Sequence, residues 1–272
     1  MNRQPRSWFS IPGHRKSDFA MALGSGTDAM VLDWDETVAP HEKQVARRVV
    51  VEVLCEKERR LPVWVRINAR ASNWRMEDLL SLEKVPANRL AGVVLPKTQY
   101  PSDISDTRKR LDKRLRIVAL VECAHGIHKT PALAATPRVA TLALGESSFL
   151  IDAGLGHDEH PWIYPRGCLV FACHAANVDP LIDRADTRVA DPQYAARSAC
   201  PASILGLGAK LCISASQIPY INAAFGYNDH QSAWALRVLA AAKKRLSDIR
   251  IDGRIVDESR REFARHIVSH TS

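Results

Sequence analysis

Residues 30–36 read Met-Val-Leu-Asp-Trp-Asp-Glu, a short apolar run that leads into three acidic side chains. Such a run is typical of a buried strand that ends at a polar edge. The pattern recurs at strand-like runs 8–12, 63–65, 93–95, 117–121, 142–145 and 211–213. The strands of a parallel barrel end at one mouth, where enzymes of that fold carry their active sites. The pattern therefore predicts one site built from residues far apart in the sequence.

Helix candidates alternate with these strands. Helical spacing of apolar residues and capping residues predict helices within 41–60, 102–115, 167–177 and 193–207. A weaker strand at 180–183 brings the strand count to eight, the number that a closed barrel needs. We therefore predict an α/β fold, a (β/α)8 TIM barrel over residues 1–220 with a C-terminal helical extension, or lid, of the same domain over residues 221–272. The helices of the extension are expected at 232–246 and 257–269.

Charge and composition narrow the possible partners. The chain has 272 residues and a formal net charge of +8, and its basic residues concentrate at 57–60 and 108–116. Neither cluster contains an aromatic residue on which a base could stack, so we expect solvated helix faces and no nucleic-acid partner. Apolar runs long enough to span a bilayer are missing, and residues 1–7 lack the apolar core of a signal peptide. We therefore expect no membrane partner and a cytoplasmic location.

One alternative arises from residues 33–37. Their Asp-x-Asp-x-Thr pattern after an apolar strand resembles the first motif of haloacid-dehalogenase-type phosphatases. This resemblance implies that Asp33 is a nucleophile and that Asp35 is its acid/base partner. The later Gly-Asp-x-x-x-Asp metal motif of those phosphatases is not found in the sequence. The phosphatase hypothesis therefore rests on one short motif.

The order of motifs along the whole chain resembles the HpcH/HpaI aldolase/citrate lyase family, particularly its citrate lyase beta-subunit-like branch. Each motif is short, but their joint order and spacing are specific. The matching stretches span roughly residues 10–257. They are Pro-Gly-His-Arg at 12–15, Asp-Trp-Asp-Glu-Thr-Val-Ala-Pro at 33–40, Val-Arg-Ile-Asn at 65–68, Leu-Pro-Lys at 95–97, Glu-Cys-Ala-His-Gly at 122–126, Lys-Leu-Cys-Ile at 210–213 and Asp-Gly-Arg-Ile-Val-Asp at 252–257.

The resemblance implies a barrel, usually a homotrimer, that makes or breaks a carbon–carbon bond beside a carboxylate or thioester carbonyl. The implied substrate is a hydroxyacyl-CoA of the citryl-CoA or malyl-CoA type, or a related keto or hydroxy acid, with Mg2+ as cofactor. It also implies that Glu122 is a metal ligand in contact with the substrate. Arg66 is the implied partner of the substrate carboxylate, for which a planar two-pronged donor is well shaped.

Further roles follow from the same resemblance. Lys97 and Arg15 are implied substrate-binding residues. Asp35 and Glu36 are implied catalytic acids that orient water at the metal. Asp257 is the implied catalytic acid that the C-terminal lid delivers into the mouth of an adjacent subunit.

The sequence departs from the family pattern where the second metal ligand is expected. Ser148 stands in place of the ligand Asp, and Ser147 in place of its neighbouring Glu. Serine is a neutral, weak ligand for a hard dication, so the resemblance implies weak magnesium binding, with Glu146 as a possible substitute ligand. His14 also replaces a family Asp. A catalytically degenerate paralogue that binds the ligand without turnover is therefore an alternative function.

Overall fold

The computed structural model describes residues 4–56, 61–154, 159–227, 229–243 and 249–271. Eight parallel strands in these residues form a closed barrel in sequence order, and the eighth pairs with the first. The predicted (β/α)8 barrel is thereby confirmed. The strands are β1 Ser7–Pro12, β2 Ala29–Asp33, β3 Val63–Arg66, β4 Gly92–Leu95, β5 Arg116–Val121, β6 Val139–Leu144, β7 Ile182–Asp183 and β8 Ala209–Cys212.

Helices connect these strands around the outside of the barrel. A large apolar core lies between the helices and the outward-facing strand residues, among them Phe9 and Leu32. In the described part of the chain, none of the helices is long and apolar enough to cross a membrane. The helices are α1 Lys16–Gly24, α2 Lys43–Glu56, α3 Arg75–Leu82, α4 Pro101–Arg108, α5 Ala124–His128, α6 Thr130–Ala134, α7 Ser147–Ala153, α8 Ile163–Ala175, α9 Pro192–Ile204 and α10 Ile218–Ala224.

The helix predicted over residues 102–115 is shorter than expected. It ends at Arg108, and a turn follows in which Asp112 accepts a hydrogen bond from the backbone N–H of Arg114 at 2.8 Å. This local bond offers the backbone an alternative to the helix. We predict a helix face for the basic cluster after residue 108. The cluster lies instead on an exposed turn, so this prediction is wrong. The other basic cluster, at 57–60, lies outside the described residues.

The alternation of side chains along each strand determines which residues reach the mouth. A second apolar cluster, made of strand residues alone, fills the barrel interior and includes Trp64 and Leu120. Successive side chains of a strand point to opposite faces, so every second residue faces the interior. Two residues beyond Trp64 and Leu120 lie Arg66 and Glu122. The interior-facing pattern thus continues from the apolar core into charged groups at the carboxyl ends of the strands.

Gly92 allows the closest approach between neighbouring strands. A Cβ atom at this position would lie 2.0 Å from the carbonyl oxygen of Arg116 and 2.5 Å from Cζ3 of Trp64. We expect Gly92→Ala to lower the free energy of unfolding by about 3 kcal/mol, because the backbone of β5 cannot give way cheaply. Chemical denaturation measures this loss.

The matched control for this prediction is Gly24→Ala. No atom lies within 4 Å of a Cβ atom at Gly24, which ends α1. We expect this variant to change the stability by less than about 1 kcal/mol. Equal losses in the two variants would contradict the close-contact explanation.

The C-terminal extension forms its own apolar core. It contains α11 Asp229–Ala242, a hairpin of β9 Arg250–Ile251 and β10 Arg254–Ile255, and α12 Glu258–Thr271. Its core holds buried residues Ala235, Val238, Ile249, Val256, Ala264 and Ile267. The helix α10 instead packs into the barrel core, although it follows residue 217. The proposed division at residue 220 stays a prediction, and part of the helix predicted at 232–246 lies outside the described residues.

Candidate active site

Arg66 lies at the centre of the charged mouth, at the end of β3. Its Nη2 atom is 3.1 Å from Oε2 of Glu36, 3.3 Å from Oδ2 of Asp35 and 3.6 Å from Oε1 of Glu122. Its Nε atom is 4.0 Å from Oδ1 of Asp33. The fold thus brings together residues from β2, β3 and β5 that the sequence analysis had selected.

Several polar atoms of this cluster are buried without a hydrogen-bond partner in the described residues. They are Nε and Nη2 of Arg66 and Oδ2 of Asp35. The carboxylates lie near the guanidinium, but not in hydrogen-bonding geometry. Leaving buried donors and acceptors unpaired costs free energy, so such atoms call for an explanation. A polar ligand at the mouth would supply the missing partners.

The electrostatics of the cluster favour an additional cation. Burial alone would lower the pKa of Arg66, but Asp33, Glu122, Glu36 and Asp35 outweigh it and raise that pKa. Burial raises the pKa of both Asp35 and Glu122, against the opposing effect of Arg66. Four carboxylates therefore share the cation of Arg66 and that of one nearby lysine, which leaves an excess of negative charge.

That lysine is Lys43, which the sequence analysis did not select. Its Nζ donates hydrogen bonds to the carbonyl oxygens of Trp34 and Asp35, both at 2.6 Å, and to Oδ1 of Asn68 at 2.8 Å. Burial lowers the pKa of Lys43. The ammonium thus fixes the loop after β2 that carries Asp35. The position of Lys43 in the first turn after Pro40 is a signal that could have identified it.

Asp33 stabilises this same loop through hydrogen bonds. Its carboxylate accepts hydrogen bonds from the backbone N–H of Asp35 at 2.7 Å, from that of Thr37 at 3.1 Å and from the Thr37 hydroxyl at 2.8 Å. The side chain is fully buried. Both carboxylate oxygens are therefore occupied by the loop, which argues against Asp33 as a phosphatase nucleophile.

Glu122 is held in place by two neighbouring loops. Its Oε2 accepts a hydrogen bond from the backbone N–H of Lys97 at 2.7 Å. Lys97 has a φ of 51°, in the left-handed region, and its side chain is exposed. Lys97 thus contacts Glu122 through its backbone N–H, and the substrate-binding role of its side chain stays a prediction. A Cβ atom at Gly145 would lie 2.8 Å from Oε1 of Glu122, so only glycine leaves room for the carboxylate.

The opposite side of the mouth contains an ion network that the sequence analysis missed. Arg184 follows β7 and donates to Oε1 of Glu146 at 2.6 Å and to Glu159. The same chain of contacts continues to Asp183, which is fully buried between Arg166 and Lys210. Burial raises the pKa of Asp183, but these two cations outweigh it and lower the pKa to about 2. We call this set the β7 ion network; its members are Glu146, Glu159, Arg166, Asp183, Arg184 and Lys210.

The β7 ion network includes Glu146, the predicted substitute metal ligand. Its three acids and three bases balance one another, so Glu146 is already paired with Arg184. Oε2 of Glu146 is nevertheless buried without a partner in the described residues. Ser148 lies half-buried in the first turn of α7. The signal that could have revealed the network is the Ile-Asp-Arg end of the weak strand at 182–184, which repeats the pattern of the other strands.

Two selected residues have hydrogen-bond partners outside the Arg66 cluster. Arg15 is exposed after β1, and its Nε donates to Nε2 of His14 at 3.2 Å. Asp257 is exposed at the start of α12, where its Oδ1 accepts from the backbone N–H of Arg260 at 2.9 Å. Within the described part of this single chain, Asp257 forms no ion pair with a residue of the mouth.

The mouth fits a magnesium ion held by few protein ligands. Among the residues that the structure describes, no group of three or more His, Cys, Asp or Glu side chains could hold a metal ion alone. Magnesium is usually bound by one or two carboxylates, with water and substrate oxygens completing its coordination. Glu122, the unpartnered Oδ2 of Asp35 and the excess of negative charge meet that description.

A closed parallel barrel with charged side chains gathered at the carboxyl ends of its strands has the architecture of a (β/α)8-barrel enzyme. The chain belongs to the HpcH/HpaI aldolase/citrate lyase family, whose family model matches residues 6–215. The resemblance found in the sequence is thereby confirmed. Its curated relatives include an L-malyl-CoA/beta-methylmalyl-CoA lyase and a citrate lyase subunit beta-like protein.

Individual relatives cover most of the chain. It is 28% identical over 259 residues to a citrate lyase subunit beta-like protein of Mycobacterium tuberculosis. The matched region covers 92% of this chain and 89% of the relative. The chain is 25% identical over 268 residues to the L-malyl-CoA/beta-methylmalyl-CoA lyase of Rhodobacter capsulatus, with 86% and 82% covered. The structure of the protein CitE from Mycobacterium tuberculosis, in complex with magnesium, acetoacetate and coenzyme A, has a TM-score of 0.83 at 24% identity over 98% of each chain. This structural likeness shows the shared fold.

Proposed function

We propose that the chain is a magnesium-dependent carbon–carbon lyase that cleaves or forms a hydroxyacyl-CoA of the citryl-CoA or malyl-CoA type, or a related oxo acid. The observation that carries the proposal is the approach of Arg66 Nη2 to Glu122 Oε1, at 3.6 Å, in a mouth rich in carboxylates. The names of the curated relatives support the same substrate class. A citrate lyase beta subunit from Mycobacterium tuberculosis, solved in complex with oxaloacetate and magnesium, supports the cofactor and the small keto acid.

The reaction requires removal of a hydroxyl proton and stabilisation of the negative charge that develops as the carbon–carbon bond breaks. A bound magnesium ion, held chiefly by Glu122, supplies that charge stabilisation. Arg66 binds the substrate carboxylate through its unpartnered N–H groups. Asp35 and Glu36 orient water beside Glu122. The raised pKa of Asp35 makes its protonated form more accessible, so it can exchange a proton with the substrate.

We expect Arg66→Lys to raise KM for the substrate about 100-fold, because a lysine cannot form the two parallel hydrogen bonds of a guanidinium. Steady-state assays with malyl-CoA and citryl-CoA, together with calorimetric titration of oxaloacetate, measure this effect. Arg70→Lys is the matched control, because Arg70 pairs with Asp103 and Asp106 on the surface. A KM in Arg66→Lys equal to that of the control would remove Arg66 from substrate binding.

The C-terminal extension supports a shared active site in a homotrimer. Leu236, Phe263 and Asp257 of the extension are exposed. We propose that the extension covers the mouth of an adjacent subunit and brings Asp257 to it. Apolar side chains exposed on the extension are suited to such a contact.

Complementation between inactive variants tests the shared site. We expect Arg66→Ala and Asp257→Ala chains to be inactive separately and to regain part of the activity when refolded together, because mixed trimers contain some intact sites. Light scattering reports the trimer in the same samples. Two Arg66→Ala preparations mixed in the same way serve as the control. Full activity of Asp257→Ala alone would place Asp257 outside the site, and absence of recovery in mixed trimers would contradict its delivery to an adjacent subunit.

A second candidate function is favoured by Ser148, which replaces the acidic metal ligand of the family pattern. A chain that retains Arg66 but binds magnesium weakly can hold an acyl-CoA or a keto acid without turnover. Titration of oxaloacetate and acetyl-CoA, run beside a turnover assay, distinguishes the two functions. Binding without turnover at saturating magnesium would favour the paralogue.

A further inference from the structure

His14 lies at the mouth, in a position fixed by the residue before it. Gly13 donates its backbone N–H to the carbonyl oxygen of Asp33 at 2.9 Å. A Cβ atom at Gly13 would lie 2.9 Å from that oxygen and 2.9 Å from Cδ1 of Trp34. The end of β1 is therefore pressed against the end of β2. His14 is thus held beside the loop that carries Asp35.

The hydrogen bond from Arg15 fixes the tautomer of the His14 ring. Nε of Arg15 donates to Nε2 of His14 at 3.2 Å. A guanidinium nitrogen can only donate, so Nε2 must accept and the ring proton must be on Nδ1. The structure thus assigns an Nδ1–H donor to His14.

This donor has no partner in the described residues, and the Nδ1 atom is buried. The imidazole as a whole is only 12% exposed. An unpaired buried donor costs free energy that a ligand acceptor would recover. The pattern is the same as that of Nη2 in Arg66, and it occurs at the same end of the barrel.

We propose that Nδ1–H of His14 binds an anionic oxygen of the ligand. The exposed guanidinium of Arg15 adds positive charge beside the ring. The carboxylate of Glu42 opposes an anion, but its Oε1 lies 3.8 Å from Nε2, at the other nitrogen of the ring. The inference rests on the proposed function, which offers two sources of such an oxygen: the carboxylate of a keto acid and the phosphates of coenzyme A.

Two substitutions separate the donor from the ring. The amide nitrogen of asparagine takes the place of Nδ1, whereas that of the longer glutamine takes the place of Nε2. His14→Asn therefore keeps a donor at the proposed contact, and His14→Gln removes it. We expect His14→Gln to weaken ligand binding about tenfold, and His14→Asn to restore it to within about threefold of the unmodified protein.

The measurement is calorimetric titration of the full chain with coenzyme A and, separately, with oxaloacetate in the presence of magnesium. A loss confined to coenzyme A assigns the contact to a phosphate, and a loss confined to oxaloacetate assigns it to a carboxylate. His174→Gln, at an exposed histidine of α8, controls for general effects of the exchange. Thermal denaturation verifies that each variant is folded.

Two results would overturn the inference while leaving the proposed function intact. Unchanged affinity of His14→Gln for both ligands would show that Nδ1 contacts neither. Equal weakening in His14→Asn and His14→Gln would show that the ring matters for packing and not for its donor. If the unmodified protein bound neither ligand, the proposed function would fail, and this inference would fail with it.

Discussion

Glu122→Gln is expected to lower kcat/KM about 1,000-fold and to weaken magnesium binding at least about 100-fold, because it removes the charge of the chief protein ligand of the proposed metal site. The amide keeps the size of the side chain and can still accept the hydrogen bond from the Lys97 backbone. The loss of activity and of magnesium binding would therefore result from the missing charge of Glu122 and not from a change in side-chain shape. Magnesium titration by calorimetry, beside a turnover assay, provides both numbers.

The same variant is expected to be as stable as the unmodified protein, or more stable. Burial raises the pKa of Glu122 in the folded chain above its unfolded value. A carboxyl with a raised folded pKa disfavours folding most at pH values above that pKa; the cost shrinks as the pH falls below it and is gone below the unfolded pKa. Removing the charge relieves the cost at neutral pH. A melting temperature well below that of the unmodified protein, at pH 7, would show that Glu122 is structural.

Ser148→Asp is expected to tighten magnesium binding on the order of 100-fold, because it restores a second charged ligand where the family pattern has one. The effect of this variant on turnover also distinguishes the two candidate functions. Turnover that rises with magnesium affinity would support a lyase limited by its metal site. Tighter magnesium binding with no turnover would support a paralogue that has lost more than one ligand.

Ser147→Asp is the matched control for this gain. It adds the same charge one residue earlier, at an exposed position in the same first turn of α7. A general electrostatic effect would strengthen magnesium binding similarly in the two variants. Such a result would contradict a direct ligand role for position 148.

The barrel and most of its strands could be predicted because two periodicities coincide in the sequence. Apolar runs end in charged residues at intervals that match strand and helix lengths, and the side-chain alternation then places Arg66 and Glu122 inside the mouth. β7 is only two residues long, so its prediction rested mainly on the need for an eighth strand. The end of α4 could not be located, because the Asp112 turn competes with the helix through a local bond that helical spacing does not reveal.

The ion-pair and hydrogen-bond partners of the charged residues could not be predicted from the sequence. The sequence indicates Glu146 as a possible substitute metal ligand. Its pairing with Arg184, however, depends on how the loops after β6 and β7 contact each other. Lys97 illustrates the same limit, because its contact with Glu122 uses a backbone N–H in a left-handed conformation. Residue types can indicate that a site is charged, whereas tertiary contacts decide which charges neutralise one another.

The β7 ion network has a consequence for how this protein can change over time or be redesigned. Its six charges sum to zero, and breaking a buried pair costs more than exchanging both partners for neutral ones. Substitutions at Glu146 and Arg184 should accordingly be tolerated together and not singly, so related chains are expected to co-vary at these two positions. On this side of the barrel, Glu146 and Arg184 are therefore expected to change together during evolution.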